Sequence, residues 1–255
     1  MRALILSDIH ANLEALNAVL EAAGHYDQLW NLGDVVGYGG SPNQCVELME
    51  KLAHINVRGN HDRVCCGLAS ALGFNPVARA AAMWTHNELS PANIEWLKLM
   101  PMGPVAPKLG RQHDPQVTCV HGSPLNEDQY ILTVRDAWAP LQQMTADITF
   151  FGHTHVQGGF SRDGDKWREI KPSFRSRKGP ESSTLKMLPG THHLINPGSV
   201  GQPRDYDWRA AFAIYESDDA EITYHRVPYD LTAAQGRILM AGLPERLAAR
   251  LREGR

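Results

Sequence analysis

The chain is poor in cysteine. Its four cysteines, Cys45, Cys65, Cys66 and Cys119, include an adjacent pair and no CxxC spacing, which excludes a disulfide framework or a zinc knuckle and leaves buried free thiols as the expectation. Long apolar runs are missing too. Nothing approaches the roughly 18 uninterrupted apolar residues of a membrane helix, and the stretch before Ser7 and Asp8 is too short for a signal-peptide core. The expectation is therefore a cytoplasmic protein with no membrane partner. Excess charge is also lacking: a formal net charge of −3 gives no global attraction to polyanions, so nucleic acid is not an expected partner. A nuclease would need a basic groove with stacking aromatics, and only residues 162–178, with Trp167 and Phe174, approach one.

What is present is an ordinary globular composition, 255 residues with 43% hydrophobic and 21% charged, enough to bury a substantial core. Residues 1–7 read as a buried strand and 12–23 as a helix carrying Leu13, Leu16, Leu20 and Ala23 on one face. Further strands are predicted at 28–32, 55–58, 117–120 and 148–151. Helix starts are marked by a cap followed by proline at Ser41-Pro42, Asn75-Pro76 and Ser90-Pro91, and another helix is predicted around 136–144. After His155 the pattern becomes strand after strand, at 157–160, 167–170, 185–188, 193–196, 210–216 and 221–227, closed by one amphipathic helix over 231–251. Such an order implies an α/β fold of two mixed sheets packed face to face and flanked by helices, an αββα sandwich. It is read as a single domain over residues 1–255, with a surface insertion at 161–190 that is either a solvated loop or a basic lid over an anionic substrate.

The unusual count is histidine, at 12. Five apolar runs end in candidate metal ligands: LILSDIH, LWNLGD, INVRGNH, VTCVHG and ITFFGHTH. Side chains at the carboxyl ends of sheet strands converge, which suits ligand binding. The set is Asp8, His10, Asp34, Asn60, His61, His121, His153 and His155. Imidazole mixed with carboxylate favours Mn, Fe, Co, Ni or Zn over Mg or Ca. There are too many ligands for one ion. Two divalent ions about 3.5–4 Å apart repel by on the order of 18 kcal/mol at an effective dielectric of about 20. A bridging anion is therefore required, with Asp34 the best candidate and hydroxide the second bridge. Such a site remains net positive and attracts a phosphate ester. His25, His54, His86, His113, His192, His193 and His225 lack this setting and are read as ordinary surface or core histidines.

With Asp8-Ile9-His10, Gly33-Asp34, Gly59-Asn60-His61-Asp62, His121-Gly122 and Gly152-His153-Thr154-His155 in this order, the sequence resembles the calcineurin-like metallophosphoesterase family. Asn196-Pro197-Gly198-Ser199-Val200-Gly201 and Gly33-Asp34-Val35-Val36-Gly37-Tyr38-Gly39 look like its small bacterial and archaeal members. The resemblance implies that Asp8, His10, Asp34 and His155 hold one metal and Asp34, Asn60, His121 and His153 the other, leaving His61 as the general acid for hydroxide attack on phosphorus. Asp62 either orients His61 or caps the backbone.

One departure stands out. The resemblance implies that protein Ser/Thr phosphatases carry GDxxDRG at the bridging aspartate, whereas here the positions of the second Asp and the Arg are Gly37 and Tyr38. A monoester dianion gains most from an arginine clamp, so phosphodiesters are the favoured substrates. Tyr38 and Arg204 are candidate substrate contacts, Arg204 being otherwise a surface salt bridge. The competing readings are a phosphomonoesterase or nuclease, and a non-catalytic interaction scaffold on the same fold.

Overall fold

A computed structural model describes residues 1–110 and 115–255, so His113 and part of the irregular connection around it lie outside the described residues. The first sheet has six strands. In spatial order they are β3 (Ile55–Asn56), β2 (Gln28–Asn31), β1 (Arg2–Leu6), β10 (Ala210–Glu216), β11 (Glu221–Val227) and β8 (Glu181–Lys186). The second has five: β4 (Val117–Cys119), β5 (Ile148–Phe150), β9 (His192–Asn196), β6 (Gly158–Asp163) and β7 (Lys166–Ile170). β1, β2 and β3 are mutually parallel, as are β4, β5 and β9, while the remaining pairings are antiparallel. The expected two mixed sheets with flanking helices are therefore present.

Period-two alternation explains the layers. In β1, Leu4 and Leu6 face one core while Ala3 and Ile5 face another. The second of these cores lies between the sheets, where the buried rings of Trp30, Phe150 and Tyr215 meet at centroid separations of 5.7 to 6.1 Å. The first lies under α1 (Leu13–Ala23), α2 (Pro42–Leu52), α3 (Asn60–Cys65), α4 (Pro76–Glu88), α5 (Pro91–Leu99), α7 (Leu231–Met240) and α8 (Glu245–Glu253). A smaller outer core, with Phe151, Phe160 and Leu194, sits beneath α6 (Val134–Gln143). With both faces of each sheet covered, strands read as apolar runs rather than as clean alternations. All four cysteines are free and buried.

The single C-terminal helix expected over 231–251 is two helices. Gly242 adopts φ +66°, and Pro244, at the N-cap of α8, disfavours helical backbone at Leu243. The 55–58 strand stops at Asn56, because the chain turns through Gly59 into α3, a short helix that periodicity did not announce. Within residues 161–190 the chain contributes the end of β6, all of β7 and all of β8 to the sheets, and the longest stretch outside them is the connection over 171–180. That connection is pinned: the Glu181 carboxylate accepts hydrogen bonds from the backbone N–H groups of Arg175 and Ser176, and Arg209 donates to the Gly179 carbonyl. Among the described residues no helix is long and apolar enough to cross a membrane.

Candidate metal centre

The carboxyl ends of β1, β2, β3, β4 and β5 meet along one rim, and the residues singled out by sequence lie just past them. Asp8, His10, Asp34 and His155 bring ligand atoms within 4.8 Å of one another, and Asp34, His121 and His153 do the same. Asp34 belongs to both groups. Its Oδ2 lies 3.6 Å from His10 Nε2 and 3.4 Å from His121 Nε2, while its Oδ1 accepts from the His61 N–H at 2.8 Å. Asn60 Oδ1 joins the second group, 3.1 Å from His121 Nε2.

Backbone carbonyls set the imidazole tautomers. Nδ1 of His10 lies 3.0 Å from the Val36 carbonyl oxygen, that of His121 2.9 Å from Leu32 and that of His155 2.6 Å from Gln202. Each Nδ1 is thereby the donor, so in the neutral rings of His10 and His155 Nε2 turns a lone pair inward, the arrangement of a metal-ligating histidine, while His121 Nε2 would ligate on losing the proton that Asp34 holds there. His10 Nε2 and His155 Nε2 then face each other at 3.1 Å. Two lone pairs so placed repel unless a cation lies between them, and ligand bonds of about 2.0–2.1 Å to one ion bring imidazole nitrogens to about this separation. The residues fit a divalent metal.

The local backbone is unusual. Asp8, His10, Asp34, His153 and His155 all have positive φ, between +49° and +65°. Non-glycine residues seldom take this conformation, and such strain concentrates at functional sites. It is held by the neighbours: the backbone N–H groups of Asp8 and His10 donate to the carbonyls of Gly33 and Asp34, both at 2.9 Å. The 196–201 segment braces the same loops. Asn196 donates to the Gly152 carbonyl and to Thr154 Oγ1, and Ser199 Oγ donates to the Asp8 carbonyl at 2.7 Å. Gly59 allows close approach, since a Cβ there would stand 2.1 Å from Asp34 Oδ1.

Charge is balanced internally. Burial opposes ionisation of Asp34, but the neighbouring His121 and His61 hold its carboxyl well below the usual range. Against the cost of its own burial, His121 is pushed up to about 10 by Asp34. Burial pushes Asp8 up to about 7 and lowers His10 and His155, which are left as neutral imidazoles, the ligating form.

His61 stays outside both groups. Its ring packs among Tyr38, Phe74 and His10, at centroid distances of 4.4, 4.5 and 5.0 Å, and burial lowers it to about 4. Its Nδ1 is buried without a hydrogen-bond partner. The Asp62 carboxylate does not serve it: the two oxygens accept from the backbone N–H groups of Asp34 at 2.8 Å, Gly59 at 3.0 Å and Val36 at 3.1 Å. Of its two expected roles, backbone capping is the one the geometry supports. Tyr38 also contacts His10, at 4.7 Å between ring centres. Arg204 donates its backbone N–H to the His155 carbonyl and its Nη2 to Gln202 Oε1, with no ion pair among the described residues.

Sequence reading missed three supports: Asn196, Ser199 and Tyr130, whose ring lies 4.0 Å from that of His153. The motif around Asn196 and Ser199 signalled the first two; for Tyr130 no signal existed. Of the histidines set aside, those described play local parts elsewhere, such as His86 Nδ1 against the Cys65 carbonyl and His192 Nδ1 against that of Ala146.

Comparison with known proteins agrees with this geometry. A family model described as a calcineurin-like phosphoesterase superfamily domain matches residues 1–220. An uncharacterised protein of Methanocaldococcus jannaschii is 33% identical over 253 residues, covering 98% of this chain and 97% of its own. A metallophosphoesterase from Sphaerobacter thermophilus is similar in structure with a TM-score of 0.82 and 40% identity, over 100% of this chain and 99% of that one. A hypothetical protein from Pyrococcus horikoshii shares the fold with a TM-score of 0.77 at 20% identity, over 100% and 98% of the two chains.

Proposed function

Because the chain belongs to the calcineurin-like phosphoesterase superfamily, we propose that its Asp/His cluster holds two divalent transition-metal ions and hydrolyses phosphate esters, diesters in preference to monoesters. The observation that carries this reading is the position of Asp34 Oδ2 between His10 and His121, one oxygen facing two ligand groups. Asp8, His10, Asp34 and His155 would hold the first ion, and Asp34, Asn60, His121 and His153 the second. When bound, the pair supplies Lewis acidity toward the phosphoryl oxygens and a water acidified from about 15.7 toward 7.

The chain's own residues do the rest. His61, one ring away from His10, donates the proton that the departing alkoxide needs. Its lowered affinity for protons comes from burial, and the negative charge of a bound phosphate raises it again. Asp62 fixes the loop that presents Asp34, and Asn196 fixes the one that presents His153 and His155. The preference for diesters follows from Tyr38 standing where the phosphate-clamping arginine of the GDxxDRG pattern would be, with Gly37 in the place of the acid that would support the histidine.

The test loads purified protein with Mn, Ni, Co, Fe or Zn, counts ions per chain, and assays chromogenic mono- and diesters. About two ions per chain and faster diester turnover are expected. Metal uptake with no hydrolysis of any ester would instead establish a non-catalytic scaffold.

A further inference from the structure

We propose that Arg63 is a positioning residue for the second ligand group, clamping the loop over residues 122–130 to α3 so that His153 and Asn60 hold one ion together. This role deepens the two-ion reading above and rests on it. The two groups are braced differently. In the first, the His155 ring and the Asp8 backbone are held by the Gln202 carbonyl and by Ser199 Oγ. In the second, Asn60 opens α3, His121 follows β4 and His153 follows β5, and the ring of His153 meets the 122–130 loop.

His153 places Nδ1 3.2 Å from His121 Nε2, whereas His10 and His155 meet through Nε2. Its own Nε2 is buried without a hydrogen-bond partner. A ligating imidazole is oriented by donating its other N–H to an acceptor. The acceptor at hand is the backbone carbonyl of Asp128, which faces this ring short of full hydrogen-bond geometry, and the Tyr130 ring lies 4.0 Å from it at 34°. The setting of His153 therefore depends on how closely the loop is drawn onto it.

The loop behaves as one unit. Ser123 and Asn126 exchange backbone hydrogen bonds at 3.1 Å, Asn126 Oδ1 accepts from the Asp128 N–H at 2.9 Å, and a Cβ on Gly122 would stand 2.3 Å from the Glu127 carbonyl oxygen. Among the described residues, the hydrogen bonds that side chains of this loop make to other parts of the chain all go to Arg63. Its Nη2 donates to both Asp128 oxygens, at 2.9 and 2.8 Å, and its Nη1 to Glu127 Oε1. Arg63 lies one turn along α3 from Asn60, so a single fork joins the helix that presents Asn60 to the loop that covers His153. An exposed single ion pair contributes little, because water screens it and two long side chains must be ordered. Here two carboxylates of one closed loop share a guanidinium whose side chain is only 22% exposed, in a forked geometry that lysine does not match. Removing it leaves Glu127 and Asp128 side by side, and their repulsion opens the loop.

The test is calorimetric titration of the chelator-stripped full chain with Mn²⁺ in two backgrounds: His10→Ala, which leaves the second group whole, and His121→Ala, which leaves the first. Arg63→Ala is expected to weaken Mn²⁺ binding at least about tenfold in the His10→Ala background, the usual effect of losing a residue that orients a ligand, and to leave the Kd unchanged in the His121→Ala background. Arg63→Lys should recover part of the loss, since an ammonium reaches one carboxylate without forking across two. If Arg63→Ala does not fold, the comparison is made with Arg63→Gln. Equal weakening in both backgrounds would make Arg63 a general prop of the fold, and that result, or no weakening in either, overturns the positioning role alone. Uptake of fewer than two ions by the wild type at saturating Mn²⁺ overturns the two-ion reading beneath it.

Discussion

Gly37 and His61 form the most informative contact in the site. A Cβ at position 37 would stand 2.6 Å from His61 Nδ1, and the backbone there has φ +89°. Gly37 thus occupies the place where the GDxxDRG pattern would set an acid against the His61 imidazole, the proposed general acid, and leaves Nδ1 with no partner among the described residues. Gly37→Ala is therefore expected to displace the His61 ring while the metal ligands remain. The expected loss is about 10²-fold in kcat or more with metal content retained, matching His61→Ala. Measured against two diesters, the loss should be larger for an alkyl leaving group than for nitrophenolate, which departs without a proton. An equal loss for both would remove His61 from the role of general acid. At this scale sequence identified which residue types gather, since carboxylates and imidazoles carry their chemistry in their names. It did not show the left-handed backbone at five ligand residues, because Asp and His encode no such preference strongly. Nor did it show the carbonyls of Val36, Leu32 and Gln202 that set the tautomers, since every residue has a carbonyl.

Among the elements, the β10–β11 pair shows what local pattern can and cannot supply. Each strand was legible from its own run, but their insertion beside β1 in the first sheet depends on pairing between residues more than two hundred positions apart. The break between α7 and α8 was written in Gly242 and Pro244, yet the continuing amphipathic period obscured it. His225 on β11 carries a consequence of this packing. Its ring stacks on Phe212 of β10 at 4.7 Å and 7°, and burial, with Arg2 nearby, lowers it from 6.5 to about 4. Above pH about 6.5 the imidazole is neutral folded or unfolded and stability does not depend on it. As pH falls from about 6.5 to about 4, the unfolded chain takes up a proton that the folded chain refuses, so stability falls. The expected loss is about 2 kcal/mol, set below the full linkage value because the ring is partly open to solvent. His225→Gln should flatten this part of the profile. Urea midpoints of both chelated proteins at pH 7.5 and 4.5 measure it, and equal acid shifts would exclude His225.

The whole molecule is two sheets joined at one rim by the ligands themselves. Asp8, His10, Asp34 and Asn60 follow strands of the first sheet, and His121, His153 and His155 follow strands of the second. An ion held by Asp34 and His121, or by Asp8 and His155, therefore links the sheets as well as serving chemistry. Without one, inward lone pairs and carboxylates converge within 3.1 to 3.6 Å. Bound metal at about a thousandfold excess over its Kd stabilises the folded chain by about 4 kcal/mol. For a domain of this size each kcal/mol shifts Tm by about 2–4 °C, so chelation is expected to lower Tm by about 10 °C. Because Asp34 alone belongs to both groups, Asp34→Asn should remove the metal-dependent part of Tm and nearly all turnover. His10→Ala, which cuts into one group, should retain part of the metal-dependent shift. Differential scanning calorimetry with and without chelator, alongside metal counts, decides between these outcomes. Equal losses in the two variants would mean that the groups act as one site and that Asp34 does not bridge.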